Sequence, residues 1–264
     1  MKLPLDNKVV IVTGGSGLIG RNFIRAILEH GGTAIIADIN ERTSKEELIK
    51  LKDTYGAEQI SFFKLDITSA KSIARLIEVV SITYGKIDAI VNAAYPRTKN
   101  WGKSFEDITY RDFCDNVNLQ LGGAFLVSQQ LGIFFKKQGY GNIINLSSIY
   151  GIIAPRFEIY GNAAFHGNTM TVPIEYSAIK SAIVHMTKFM AKYYKGCNIR
   201  VNCIAPGGIF DKQPAKFLKN YNFYGMNKGM LDQTDLNGTL VFLLSDGSKC
   251  VNGQTIIVDD GWTL

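Results

Sequence analysis

Tyr176 and Lys180, four residues apart in YSAIK, are a pair whose types and spacing could do chemistry. They lie in a stretch with helical periodicity, so both side chains point to one helix face. A phenol with a reference pKa of about 10 is a poor base at neutral pH, and an adjacent ammonium favours the phenolate, each tenfold gain in ionisation being worth about 1.4 kcal/mol. Such a pair can pass a proton to or from a reacting group. Taken alone, the same spacing is more often a half-buried tyrosine beside a surface lysine.

A second pattern is TGGSGLIG, Thr13 to Gly20, which follows the apolar run Val9 to Val12. Glycines at 14, 17 and 20 between a strand and a helix permit a tight turn, the approach of a pyrophosphate without Cβ contact, and close helix packing. The helix N-terminus then turns free N–H groups toward the phosphates. A turn that merely needs positive φ explains a lone glycine pattern equally well. Asp38, at the end of the next strand, changes the balance: its carboxylate would accept both hydroxyls of an adenosine ribose and repel a 2′-phosphate. The expected cofactor is NAD, with NADP disfavoured.

These residues need a scaffold, and the chain supplies one. Short β-branched runs (KVVIVT, TAIIAD, ISFFKLD, KIDAIVN, GNIINLS, NIRVNCIA and QTIIVDD) alternate with amphipathic segments such as Ile73, Leu76, Ile77 and Val80. Apolar strands without strict alternation imply a sheet covered on both faces. The expected fold is α/β, a doubly wound Rossmann arrangement with a parallel sheet of about seven strands. With 264 residues, 46% of them hydrophobic and 20% charged, the chain is long enough for one large domain over 1–264, and no linker or repeat divides it. Two stretches lack a clear period, 152–173 and 211–231, and loops that long are usually functional or mobile.

Composition narrows the classes. No apolar run approaches the roughly 18 residues of a membrane span, and MKLPLDNK lacks a signal peptide's apolar stretch, so a cytoplasmic protein without membrane partners is expected. The net charge of +6 comes from dispersed lysines rather than a block, which suits anionic metabolites and gives no reason to expect nucleic acid. Cys114, Cys197, Cys203 and Cys250 form no CxxC pair, so reduced, mostly buried thiols are expected, with no disulfide framework or metal site.

YSAIK, preceded by NLSS ending at Ser148, and by VNAA at Val91 to Ala94, with NCIAPGG and VDDGW downstream, resembles the short-chain dehydrogenase/reductase family over nearly the whole chain. Any one of these motifs arises by chance; five in order do not. The resemblance implies that Tyr176 is the general acid/base, that Ser148 holds the reacting oxygen, and that Lys180 holds the nicotinamide ribose and lowers the Tyr176 pKa. It implies a cofactor site built from Gly14, Ser16, Gly17, Leu18, Ile19 and Gly20, with Asp38, Asp66 at the adenine and Ile67 beside it. Ala93 and Ala94 should border the adenosine, and Pro206, Gly207 and Ile209 the nicotinamide. Asn92 either contacts the adenosine or braces the sheet end. Relatives are commonly tetramers, so a homo-oligomer, tetramer or dimer, is expected.

The chain also departs from the family. The spacing TGxxGxxG, with Leu18 where single-domain members usually have glycine, looks like the extended, nucleotide-sugar branch. Ser148 and Tyr176 are more than twice as far apart as usual, so the residues between them, 152–173, should emerge as an insertion beside the reacting carbon, with 211–231 as a substrate loop. The family's fourth catalytic residue, a helical Asn, has no simple match. Ungapped spacing between Phe113 and Phe125 puts Gln120 there, with Asn118 two residues earlier, and Gly122 and Gly123 would permit a bend.

NAAYPR, NLQLGGAF and IYGIIAPRFEIY look more specifically like oxidoreductases of flagellin-modification and nonulosonic (legionaminic-type) sugar clusters. That resemblance implies a small anionic sugar substrate. Arg97 and Arg156, which follow prolines in YPR and APR just beyond strand ends, are either the contacts for its acidic group or exposed loop arginines, and His166 is either a second acid or substrate contact or a solvated loop histidine. His30 and His185 are given no function. The expected activity is NAD(P)-dependent interconversion of a hydroxyl and a ketone. Two rivals stand beside it: a nucleotide-sugar epimerase or dehydratase with tightly held NAD, which the glycine spacing suggests, and a non-catalytic dinucleotide sensor or scaffold, against which the intact Ser148, Tyr176 and Lys180 argue.

Overall fold

A computed structural model of the chain describes residues 3–161, 164–165, 168–169 and 171–264. The seven apolar runs read from the sequence all form strands of one sheet. They are β1 (Val9–Thr13), β2 (Thr33–Asp38), β3 (Ile60–Lys64), β4 (Ala89–Asn92), β5 (Gly141–Leu146), β8 (Ile199–Pro206) and β9 (Thr255–Val258). Two further strands of two residues each, β6 (Ala164–Phe165) and β7 (Asn168–Thr169), pair antiparallel outside that sheet. The sheet order is β3-β2-β1-β4-β5-β8-β9, with parallel pairing throughout. The strand order reverses at β1/β4, which opens a crevice at the carboxyl ends of the strands, where folds of this kind bind ligands.

Helices α1 (Gly20–Glu29), α2 (Glu41–Tyr55) and α8 (Asn237–Leu244) cover one face; α3 (Ala70–Tyr84), α4 (Tyr110–Val117), α5 (Gly123–Gln138) and α6 (Ile174–Tyr193) lie toward the other. Both faces of the central strands are therefore dry. β1 and β5 are buried along their full length, which explains their unbroken apolar sequence. Between α4 and α5 the chain makes a π-helical turn, Asn118–Gly122. A third cluster, of aromatics, caps the carboxyl end of the sheet: Tyr150, Tyr160, Phe217, Tyr221 and Trp262 are all buried there.

The stretch 211–231 is more ordered than its sequence suggests. It contains α7 (Ala215–Asn222), whose buried face is Phe217 and Tyr221, and it closes through a bridge between Ile209 and Leu231. The cysteines also correct an expectation. Only Cys203 is buried; Cys114 and Cys197 are half-buried and Cys250 is exposed. No described helix is long and apolar enough to cross a membrane.

The turn after β1 is set by contact. Gly14 has φ +64°, and a Cβ there would stand 2.7 Å from Ala94 Cα; a Cβ on Gly20 would stand 2.1 Å from the Gly14 carbonyl oxygen. Backbone cannot retreat as a side chain tip can, so the first turn of α1 sits directly on the glycine turn. Gly20→Ala should lower stability by about 1–3 kcal/mol through overpacking, read as a depressed Tm, whereas Gly238→Ala, which meets nothing within 4 Å, should leave Tm unchanged or slightly raised.

Candidate active site

The crevice is a cleft of about 810 Å³ at the carboxyl ends of the strands. Its outer part is the glycine turn, with Gly14, Ser16, Gly17, Leu18, Ile19 and Gly20 all on its wall. α1 begins there without a side-chain cap; the Arg21 and Asn22 N–H groups donate to the Gly17 (3.1 Å) and Ile19 (3.0 Å) carbonyls, and the Leu18, Ile19 and Gly20 N–H groups, which have no partner among the described residues, are left to an incoming ligand. Asp38 also lines the cleft. Its Oδ2 accepts from Ser16 Oγ (2.6 Å) and Ser16 N–H (3.1 Å), and its Oδ1 accepts from Asn40 N–H (2.9 Å). Its neighbours on the wall, Ile39, Asn40 and Thr43, carry no positive charge, and Arg42 points to solvent with its side chain 90% exposed.

Asp66 and Ile67 continue this side, the Asp66 carboxylate being oriented by Thr68 through its N–H (2.9 Å) and Oγ1 (2.7 Å). Ala93 and Ala94 after β4, with Pro206 at the end of β8 and Gly207 and Ile209 beyond it, complete the floor. Asn92 is elsewhere: its Nδ2 donates to Ser128 Oγ and to Asn145 Oδ1, both at 2.8 Å, so it braces the sheet end. Of its two open readings, the structural one describes its contacts. The residues present fit a dinucleotide, since a Cβ-free turn, an uncapped helix start and a carboxylate lie along one continuous wall.

At the inner end Ser148, Tyr176 and Lys180 meet. Ser148 follows β5; its Oγ accepts from the Tyr150 N–H (3.2 Å) and forms a side-chain hydrogen bond with Tyr176. Tyr176 and Lys180 share one face of α6, with Lys180 Nζ 5.7 Å from the Tyr176 ring centroid. Lys180 is buried and donates to the Leu146 carbonyl (3.0 Å). Burial pushes its ammonium down to about 8, which still leaves it largely charged at neutral pH. The phenol runs the other way from the sequence expectation. Burial raises the Tyr176 pKa and outweighs the Ser148 hydrogen bond that lowers it, because removing an anion from water is the larger effect here. Tyr176 is therefore a neutral O–H, suited to giving a proton.

Gln120 sits in the π-helical turn and is buried; Asn118 in the same turn is exposed. The Gln120 amide shares a pocket of about 10 Å³ with Lys180, Asn92 and Asn145, space for about one water. Neither atom of that amide has a hydrogen-bond partner among the described residues. Gln120, the residue to which the spacing from Phe113 and Phe125 points, thus lines one small pocket with Lys180.

Substrate-side expectations divide. Arg97 lines the cleft, its guanidinium 5.5 Å from the Tyr95 ring centroid. Arg156 does not line it: its guanidinium lies over the rings of Tyr224 (4.2 Å) and Trp262 (5.2 Å), which hold it by cation–π attraction. His166 lies outside the described residues. Both segments without a clear period contribute to the wall, 152–173 through Tyr160, Thr171, Val172 and Pro173, and 211–231 through Gln213, Phe217, Tyr221 and Met230.

Sequence reasoning missed the aromatic wall. Tyr95 and Trp101 stand edge-on to Tyr176 at 5.8 and 6.1 Å between centroids, and Tyr150 at 6.5 Å. The loop bearing Tyr95, Arg97 and Trp101 is fixed from below. Asn116 Oδ1 accepts from Thr98 N–H (3.2 Å), and Asp112 accepts from Asn100 (2.7 Å) and Lys103 (2.8 Å). Asn116 Nδ2 in turn donates to Glu175 (3.2 Å), the neighbour of Tyr176. Tyr95, Trp101 and Tyr150 all lie outside the two stretches without a clear period, so no signal in the sequence marked them.

A family model described as enoyl-(acyl carrier protein) reductase matches residues 16–263. The chain is 48% identical over 261 residues to post-translational flagellin modification protein A of Campylobacter coli, covering 98% of this chain and 100% of that one. It is 32% identical over 272 residues to a 3-oxoacyl-(acyl-carrier-protein) reductase of Thermotoga maritima, covering 99% of this chain and 100% of that one. Among solved structures, a short chain dehydrogenase from Leptospira borgpetersenii with bound NAD+ is similar with a TM-score of 0.85 at 32% identity, over 99% of this chain and 94% of that one. A gluconate 5-dehydrogenase from Burkholderia cenocepacia in complex with NADP and tartrate shares the fold, with a TM-score of 0.84 at 24% identity, over 99% of this chain and 97% of that one.

The two helical candidates separate in a direct test. Gln120→Ala should lower turnover by about tenfold or more while Asn118→Ala stays within about twofold of the parent; steady-state rates on variants with matched Tm values check this, and equal losses would undo the register.

Proposed function

Because this chain belongs to the short-chain dehydrogenase/reductase family and is an NAD(P)-dependent oxidoreductase of it, we propose that it interconverts a hydroxyl and a ketone on an anionic sugar, with NAD(H) as the preferred cofactor. The observation that carries this reading is the joining of Ser148, Tyr176 and Lys180 at the inner end of the same cleft whose outer wall holds Asp38 and the glycine turn.

When bound, the dinucleotide supplies or accepts the hydride. The protein's own groups do the rest. Ser148 and Tyr176 hold the substrate oxygen. In reduction Tyr176 gives its proton to that oxygen as the carbonyl carbon takes up hydride, and in oxidation both transfers reverse. Raised by burial, Tyr176 carries that proton at neutral pH. Lys180, fastened to the Leu146 carbonyl, presents its remaining N–H bonds toward the cleft for a ribose hydroxyl and for the phenol oxygen once it ionises. Gln120 borders Lys180 from behind, where it can pass hydrogen bonds through one water.

Asp38 supports NAD over NADP. A carboxylate already ordered by Ser16 and Asn40 faces the ribose position, and no cationic side chain on that part of the wall would offset a 2′-phosphate. The aromatic faces of Tyr95, Trp101, Tyr150 and Tyr160 suit the C–H faces of a sugar ring, and Arg97 offers a planar fork for a carboxylate or phosphate at the rim. The flagellin-modification relative supports a sugar of surface glycan synthesis. Exposed Tyr110, Phe125, Phe189 and Tyr193 on α4, α5 and α6 support a homo-oligomer, and we place the enzyme in the cytoplasm with its nucleotide cofactor.

Tyr176→Phe should retain NADH binding, followed by fluorescence, and lose about two orders of magnitude or more in kcat; unchanged kcat would remove the assigned proton donor. Asp38→Ser should shrink a wild-type preference for NAD over NADP in kcat/KM by about tenfold or more. A wild type that uses both cofactors equally would overturn the assignment of Asp38.

A further inference from the structure

Two tyrosines beside Tyr176 have no part in the proton transfer just described. Tyr150 lies two residues beyond Ser148, in a short 3-10 turn, Ile149–Gly151, that Ser148 caps. Its ring stands edge-on to Tyr176 on one side and to Trp262 on the other, at 6.5 and 6.1 Å between centroids. Tyr160 comes from the insertion and tilts against Phe217 at 5.2 Å. Both line the cleft, and they are only 8% and 9% exposed.

Their hydroxyls are linked. The Tyr160 O–H donates to Tyr150 Oη at 2.9 Å. A phenol has one hydrogen to give. With the Tyr160 hydrogen directed at Tyr150, the Tyr150 hydrogen cannot return to Tyr160, and no other hydrogen bond to the Tyr150 hydroxyl is formed among the described residues. Burial pushes Tyr150 up to about 12 and Tyr160 higher still, so both remain protonated across the working pH range. Tyr150 is thus a neutral donor in the cleft wall, with its hydrogen free for an acceptor that enters the cleft.

Its position says which acceptor. Ser148 and Tyr176 hold the reacting oxygen, and Tyr150 is attached to the first by a two-residue turn and packed edge-on against the second. We propose that Tyr150, oriented by Tyr160, donates to an oxygen on the carbon next to the reacting carbon, so that the enzyme selects a 2-hydroxyketone, or in the opposite direction a vicinal diol, over a simple ketone or alcohol. This rests on the reading of the cleft as a ketone and alcohol site. The pair sets substrate choice and takes no part in moving the proton. The insertion thereby acts on the reacting centre at one remove, since Tyr160 reaches it only through the oxygen of Tyr150.

The test compares 2-hydroxycyclohexanone with cyclohexanone, each with NADH, in single-turnover fluorescence sensitive enough for poor substrates, on wild type, Tyr150→Phe and Tyr160→Phe. Wild type should prefer the hydroxyketone by about 100-fold or more, and Tyr150→Phe should cut that ratio by about tenfold or more, because a site built to meet a hydroxyl discriminates strongly against its absence. Tyr160→Phe should cut it by a smaller factor. A ratio taken on one preparation does not depend on the fraction folded, so a merely structural role would leave it unmoved. If Tyr150→Phe does not fold, the Tyr160→Phe ratio decides alone. A wild-type ratio near one, or a ratio unchanged in the variants, overturns the proposal and leaves ketone reduction standing; no reduction of either ketone overturns both.

Discussion

A short line of buried hydrogen bonds holds the two helices beside the candidate site in register with the sheet. Asn92 at the end of β4 donates to Ser128 on α5 and to Asn145 on β5, and Asn145 donates to Thr187 on α6 at 2.9 Å. Each residue in the line is buried. A neutral hydrogen bond contributes only about 1 kcal/mol net, but an amide or hydroxyl buried without its partner loses more, so the line tolerates little slippage. Gln120 precedes α5 and Tyr176 and Lys180 ride on α6; fixing both helices to adjacent strands fixes the distance between them. The cleft geometry follows from polar groups that themselves touch no substrate.

The charge at the inner end depends on the same rigidity. Lys180 is an ammonium inside the protein, displaced downward by burial and answered by one carbonyl at the end of β5. Desolvation of this kind is tolerable only where acceptors are already in place. Leu146 belongs to the strand that Asn145 anchors, so the carbonyl cannot drift from the amine. Tyr176 is displaced upward by the same burial. One dry environment thus lowers one pKa and raises the other, which separates them and keeps the proton on the phenol, where a substrate oxygen can take it.

Most of the scaffold was legible because it obeys local rules. Seven apolar runs became seven strands since a strand covered on both faces has no polar side to show. The glycine turn and Asp38 could be read together because their spacing is dictated by one strand, one helix and one more strand. What escaped depended on contacts between distant segments. Arg156 reads as a free loop cation until Tyr224 and Trp262 fold against it. The phenol pKa followed burial, which a sequence shows only indirectly. In the aromatic wall Tyr95 and Trp101 come from the segment after β4 and Tyr150 and Tyr160 from the segment after β5, and no single window of the sequence contains enough of it to form a pattern.

The π-helical turn at Asn118–Gly122 has a further bearing. An α-helix advances about 100° per residue, so one surplus residue in a turn shifts the phase of everything after it. Before the turn, α4 directs Asp112 and Asn116 at the loop over the cleft. After it, α5 directs Ser128 at the sheet. A regular helix through this region would have to satisfy both with a single angular pattern. The surplus residue uncouples them, so drift in the loop bearing Tyr95 and Trp101 and its supports on α4 need not re-aim the buried face of α5. Such a rod can serve as a bearing about which one end of the site diversifies while the other is held.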